Sequence, residues 1–325
     1  MTSANPSRPS TAAVATALLI VYVVWGSTYL GIAIMIETLP PLLAAGVRYA
    51  VAGLLMLGAL AAYARIRRSA EPVERPTAAQ WRSAFIIGSL LLLGGNGGVV
   101  LAELFIDSGI AAVLVATMPI WLALFDAVLN RRRPSGLVIG GLVAGIVGVA
   151  ILLAPVEGID EINPLGIGLV ILATISWAAG ALYARRAPLP RSQLVATGIE
   201  MLAGGIVLLV AGSLVGEIGR TDVGSFSLRS LGALAYLIVF GSIVAFTAFS
   251  WLNANVPVST VGTYAYVNPI VAVALGAVLL SEPITPRTLI ATVIIIGAVV
   301  AMVSGRPRDA EEPMPMADRV AREAD

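Results

Sequence analysis

The chain runs apolar for 20 residues or more at a stretch, repeatedly from end to end, and this constrains its fold more than any motif does. A run of about that length crosses ~30 Å of hydrocarbon as a helix rising ~1.5 Å per residue. Outer-membrane barrels are excluded, because their strands alternate polar and apolar over about ten residues. A soluble fold is excluded by composition: 58% of the residues are hydrophobic and 12% charged, where a water-soluble domain carries charge at roughly a quarter of its positions. The expected class is an all-α membrane protein. Cutting at the charged or Pro-containing connections gives ten segments, near 13–35, 40–63, 83–104, 108–130, 136–155, 165–184, 193–215, 231–253, 258–280 and 286–304.

Absent residue types narrow the chemistry. The chain has no His and no Cys, and all 20 basic residues are Arg. No Ser-His-Asp triad, thiol nucleophile, disulfide or zinc site of the usual ligands can be built, so neither an enzyme nor a metal or cofactor site is expected. The Arg residues are spread over the connections rather than gathered into a groove, which gives no nucleic-acid signature. They report topology instead. With the N-terminus in the cytoplasm, 16 Arg fall inside and only Arg220, Arg229 and Arg287 outside, so the positive-inside rule puts both termini in the cytoplasm. The tail, 305–325, mixes both charges with Pro313 and Pro315 and is expected to be disordered.

The two halves are copies. Trp25 aligns with Trp177, and the stretch Gly46–Gly53 with Gly198–Gly205, at an offset of 152. Met118-Pro-Ile-Trp aligns with Asn268-Pro-Ile-Val at 150. Repeats over 11–155 and 165–304, each with five crossings, must enter the membrane from opposite faces because five is odd. Ten transmembrane helices in two inverted five-helix repeats are a transporter architecture, with substrate bound near the midplane between the copies.

Several mid-span residues are candidates for function. Trp25, Thr28 and Tyr29 share a helical face near the bilayer centre, and Trp177 gains the same reading through the repeat; aromatic walls with hydroxyls suit an amphipathic solute, or ordinary packing. Four Gly surround Asn96 in Gly94-Gly-Asn-Gly-Gly98, permitting close backbone approach or local unwinding. Glu103, seven residues further on, is expected on the same face as Asn96. Pro119 and Pro269 occupy matching positions, each removing a backbone donor, and Thr260, Tyr264 and Asn268 form a polar stripe at four-residue spacing. Arg48 and Glu200 lie deep in their spans, where a charge costs at least ~2.5 kcal/mol. They are repeat equivalents of opposite sign, so pairing across the pseudo-two-fold is geometrically plausible though the sequence does not show it, a permanent ion pair or carbonyl cap being the structural alternative for Arg48. Glu200 or Glu103 is the candidate titrating carboxylate for proton coupling.

Taken in order, Trp25-Gly-Ser-Thr-Tyr29, Gly46-Val-Arg-Tyr49, Gly95-Asn-Gly97 leading to Glu103, Ser108-Gly-Ile-Ala-Ala112, Glu200-Met201 and Tyr264-Ala-Tyr-Val-Asn-Pro269 resemble the drug/metabolite transporter superfamily in its EamA-type branch. The resemblance covers about 11–304 and implies export of amino acids, other metabolites or toxic compounds through a central cavity of the bacterial inner membrane. Some relatives exchange solutes instead. Substrate, driving ion and oligomeric state are not readable from it.

Overall fold

The computed structural model describes residues 10–66, 75–129, 136–153, 163–256, 258–261 and 263–304. The expected tail lies outside the described residues. Everything regular in the described residues is helical, in ten successive segments with the short helical turns Glu217–Arg220 and Val223–Ser225 between the seventh and eighth. We label them α1 Thr11–Met35, α2 Pro41–Ile66, α3 Ala78–Ala102, α4 (Ser108–Val115 and Met118–Leu129), α5 Gly136–Leu153, α6 Pro164–Ala184, α7 Gln193–Leu214, α8 (Leu228–Tyr236, Leu237–Val244 and Ala245–Asn255), α9 (Val258–Val261 and Tyr264–Leu279) and α10 Pro286–Ser304. By length and composition six of them, α1, α2, α3, α6, α7 and α8, can cross a membrane, and the other four are shorter apolar helices. The closest division expected from sequence, between the third and fourth segments, falls at the turn from Glu103 to Asp107. Leu54, Val143, Leu172 and Val293 stand exposed on the bundle's outer surface, as side chains that meet lipid do.

Equivalent helices of the two halves meet face to face. α2 and α7 pack along their whole length. Gly53 lies against Gly198 and Leu202, Gly205 against Ala50, and Gly46 against Leu209, so residue numbers rise on one helix as they fall on the other. Antiparallel packing of equivalent helices is the geometry an inverted repeat requires. The equivalent α5 and α10, and α4 and α9, also pack together, while two partnerships are swapped between halves: α1 runs antiparallel to α8, with Ser230 at Ile34 and Gly31 at Leu237, and α3 to α6, with Gly94 at Ser176 and Gly98 at Ala173.

Three of the long helices are locally widened into π turns, Val21–Trp25 in α1, Ser89–Gly97 in α3 and Leu237–Val244 in α8. α3 and α8 are repeat equivalents, so the widening is itself duplicated. Such turns commonly mark functional segments of a helix. The Gly-rich stretch around Asn96 is therefore not unwound; its glycines serve close approach, and a Cβ on Gly95 would stand 2.7 Å from the Trp177 ring.

One end of the bundle, opposite the two termini, is tied across the halves by two carboxylates, one buried and one half-buried. Glu217, after α7, accepts hydrogen bonds from the Leu42 and Leu43 backbone N–H groups at 3.0 and 2.8 Å. Glu282, after α9, accepts from Ser108 N at 3.0 Å, Ser108 Oγ at 2.7 Å and Gly109 N at 3.1 Å. Each satisfies the orphan donors at a helix N-terminus, where the helix dipole also favours an anion. Each fits because a glycine leaves a notch: a Cβ on Gly276 would lie 2.2 Å from a Glu282 oxygen, and one on Gly212 3.0 Å from Glu217. Ser281, immediately before Glu282, adopts φ 58°, a left-handed conformation rare outside glycine. The Arg229–Glu37 ion pair and the Ser230 hydroxyl on the Ile34 carbonyl join the halves at the same end.

Candidate functional site

A cavity with about 760 Å³ of empty space opens between the halves, with walls supplied by α1, α2, α3, α4, α6, α8 and α9. Trp25, Thr28 and Tyr29 from α1, Asn96 from α3, Trp177 from α6, and Tyr264 and Asn268 from α9 all lie on its wall. The two tryptophans are seated alike. The Trp25 indole N–H donates to the Gly241 carbonyl at 3.3 Å, inside the π turn of α8, while Trp177 rests on Gly95 inside the π turn of α3. The duplicated tryptophan thus meets the duplicated widening, Trp177 on a glycine that admits its ring and Trp25 through a hydrogen bond to a glycine carbonyl.

Trp25 is packed by Phe246, Phe249 and Tyr264, at ring-centroid distances of 5.1, 4.9 and 5.2 Å. Such aromatic contacts hold a ring rigid. The Thr28 hydroxyl donates back to the Trp25 carbonyl, as expected beside a widened turn that frees carbonyls. Asn268 presents its amide to the Tyr264 and Tyr22 carbonyls, 3.2 Å from each, which places its nitrogen on that side. Asn96 differs: its amide nitrogen is buried and has no hydrogen-bond partner.

Four expectations are corrected. Glu103 does not join Asn96 on the cavity wall: it caps α3 at the end of the α-helical turn Gly98–Ala102, beyond the lining. Both Glu103 oxygens are buried without a partner, within electrostatic reach of Glu282 and Arg48. Of the expected stripe, Tyr264 and Asn268 reach the cavity wall and Thr260 does not. Pro119 and Pro269 are not equivalent breaks: Pro119 is the second residue of Met118–Leu129, just past its interruption, whereas Pro269 lies inside the Tyr264–Leu279 helix.

The fourth correction concerns Arg48 and Glu200, which do not pair. With Gly205 against Ala50 and Gly53 against Leu202, Glu200 stands some seven residues along the α2–α7 crossing from Arg48, about 10 Å at ~1.5 Å per residue. Its backbone instead borders Gly88 of α3. Arg48 is buried, donates from Nε to Ser242 Oγ at 3.1 Å, and holds its guanidinium 4.7 Å from the Tyr49 ring centre. It lines the cavity, as do Tyr49, Thr174 and Phe246. Of these only Thr174 had a sequence signal, lying three residues before Trp177 and so on its face.

At the tied end, Asp107 precedes α4 beside Glu282. Burial and then the Glu282 carboxylate raise its carboxyl above the ordinary range.

Two antiparallel five-helix halves that close on a shared aromatic cavity define a helical membrane transporter. The chain belongs to the EamA-like transporter family, whose model matches it twice, over residues 12–154 and 164–304. It is 40% identical to the inner membrane transporter YedA of Escherichia coli strain K12 over 291 residues, covering 89% of this chain and 90% of that one. It is 28% identical to the protein PecM of Dickeya dadantii, covering 85% and 88%. One protein of known crystal structure superposes with a TM-score of 0.57 at 18% identity, over 90% of this chain and 96% of that one, a likeness of fold.

Proposed function

We propose that the protein is a secondary exporter of the bacterial inner membrane that moves small amphipathic metabolites or drugs outward by alternating access. The observation that carries this reading is the cavity's place: both halves build its wall, so a rocking of one half against the other changes the side from which it is reached. Side-chain bonds between the halves concentrate at the end opposite the termini among the described residues. Beyond the cavity-lining turn of α1, buried Met35 and Leu39 add an apolar layer toward that end. With both termini cytoplasmic by the positive-inside argument, this is a conformation closed to the outside. Trp25, Thr28, Tyr29, Asn96, Trp177, Tyr264 and Asn268 are the substrate contacts in this reading.

Export against a gradient needs an energy source, and we assign the proton gradient. Glu217 and Glu282 are occupied with backbone donors, which leaves Glu103 and Glu200 to carry a proton within the bundle. Everted vesicles containing the protein should accumulate a solute under an acid-inside gradient and lose it when a protonophore collapses that gradient. Accumulation in right-side-out vesicles instead would make the protein an importer. Flux of no solute in either would make it a receptor or scaffold.

Two further outcomes test the site and its orientation. The chain has no native Cys, so Thr28→Cys and Asn268→Cys should each be modified by small aqueous thiol reagents and protected by substrate; inertness of both would assign those faces to packing. Reporter fusions after Arg68, Arg133 and Arg191 should read cytoplasmic, and those after Glu37, Asp160 and Asp222 external. A cytoplasmic signal at Asp160 would contradict the proposed topology.

A further inference from the structure

Arg48 is 3% exposed, at the eighth residue of α2, and carries a full charge into a low-dielectric bundle. What it meets there is neutral: the Ser242 hydroxyl on Nε and the face of the Tyr49 ring. It forms no ion pair, and Glu103, the carboxylate whose field reaches it, accepts a hydrogen bond from no group. A guanidinium offers five N–H donors in a planar fork that matches a carboxylate edge, and among the described residues only Nε meets an acceptor. The group lines the cavity, and Asn96, on the same wall, has its own amide nitrogen buried and unfilled. Among the described residues no acidic side chain lines the cavity; the rest of its wall is aromatic and apolar apart from Thr28, Thr174 and Asn268.

A buried cation persists when something compensates it; among the described residues Glu103 reaches Arg48 only through its field and no carboxylate touches it, which leaves the cavity-facing nitrogens for a ligand. We propose that Arg48 is the anion anchor of the cavity, and that the substrate is a small organic monocarboxylate whose ring-bearing or aliphatic body lies among Trp25, Trp177 and Tyr264. The inference rests on the transport role proposed for this cavity and specifies its substrate class. A single guanidinium neutralises one negative charge, so a phosphate dianion would leave a charge uncompensated. A cationic amine would face Arg48 with no acid to receive it. The Asn96 amide is the second donor to the same carboxylate.

The test uses the purified full chain and three ligands sharing one phenylpropyl body: 3-phenylpropionate, its uncharged amide, and 3-phenylpropylamine, with affinities read by calorimetry. The acid should bind at least tenfold more tightly than the amide, and the amine more weakly than either. Arg48→Gln should bring the acid down to the affinity of the amide while leaving the amide unchanged, and Arg48→Lys, which keeps the charge but loses the fork, should fall between. Should Arg48→Gln fail to fold, the acid-to-amide ratio of the wild-type protein and its shrinkage in Asn96→Ala decide the matter alone. Equal binding of acid and amide, or tighter binding of the amine, would overturn the anion anchor and leave the cavity as a ligand site. Binding of none of the three by the wild-type protein would remove the cavity reading and the anchor together.

Discussion

Glu282→Ala should open the end of the bundle opposite the termini and cut substrate accumulation at least tenfold. The carboxylate takes three hydrogen bonds from the start of α4, each to an ionised acceptor and each worth about 1.5–3 kcal/mol net. Alanine strands two backbone N–H groups and a hydroxyl in the closed state. Opening lets water reach them, so most of the loss falls on the closed conformation. States of a transporter commonly differ by only a few kcal/mol, and a loss of that size inverts their populations. The reporter is Asn268→Cys: in the Glu282→Ala background it should be modified faster by an impermeant thiol reagent added outside. Glu282→Gln keeps one acceptor oxygen and should lie between. Unchanged labelling and accumulation in Glu282→Ala would show that the carboxylate is not part of a moving seal.

The same contact predicts a pH effect. Asp107 stands beside Glu282 with its carboxyl raised by burial and by that neighbour. Above its pKa it is an anion repelling Glu282; acidification discharges it and removes the repulsion. The seal should therefore tighten as the outer pH falls through the Asp107 pKa, and labelling of Asn268→Cys from outside should slow. Asp107→Asn should be slow at every pH.

The helices and the aromatic side of the site were legible because they depend on one chain at a time. Insertion of a span is decided by its own composition, and the faces of Trp25, Thr28 and Tyr29 follow from local spacing. Whatever depends on how two halves meet was not. The repeat offset shows that Arg48 and Glu200 are equivalent, but equivalence under a two-fold puts two residues at equal distances on opposite sides of the axis. They touch only if both lie on it. The contacts Gly53–Leu202 and Ala50–Gly205 place that axis beside Val51 and Ala52, several residues from Arg48, so the pair is held apart by the symmetry that suggested it. Glu217 and Glu282 were illegible for a related reason. Their partners are backbone donors 173–175 residues away in the other half, and a backbone N–H leaves no mark in a sequence. The π turn of α3 had a hint in its glycines, whereas its counterpart in α8, with Phe240-Gly-Ser242 at its centre, had almost none.

Gly205→Ala should destabilise the whole bundle although it adds a single methyl group. Its Cβ would stand 2.4 Å from the Ala50 nitrogen, 2.8 Å from the Ala50 Cα and 2.9 Å from the Gly46 carbonyl oxygen. All three are backbone atoms, so no side-chain rotation relieves the clash, and α7 must back away from α2. These two helices share the most extensive packing in the fold, and their separation loosens contacts along the full crossing. Overpacking of this kind costs about 1–3 kcal/mol, against a total stability of roughly 5–15 kcal/mol. Gly58 is the internal control: it lies on α2, but a Cβ there meets nothing within 4 Å, and alanine gains up to ~1 kcal/mol of helix propensity over glycine. Thermal denaturation of the detergent-purified proteins should show Gly205→Ala several degrees below wild type and Gly58→Ala at or above it. Gly205→Leu should not accumulate as a monodisperse protein. Because the α2–α7 crossing lies on the pseudo-two-fold about which the halves would rock in the proposed cycle, Gly205→Ala should also slow transport per folded molecule. Equal melting temperatures for the two alanine variants would mean that the helices are not in backbone contact at Gly205, and the pivot would have to lie elsewhere.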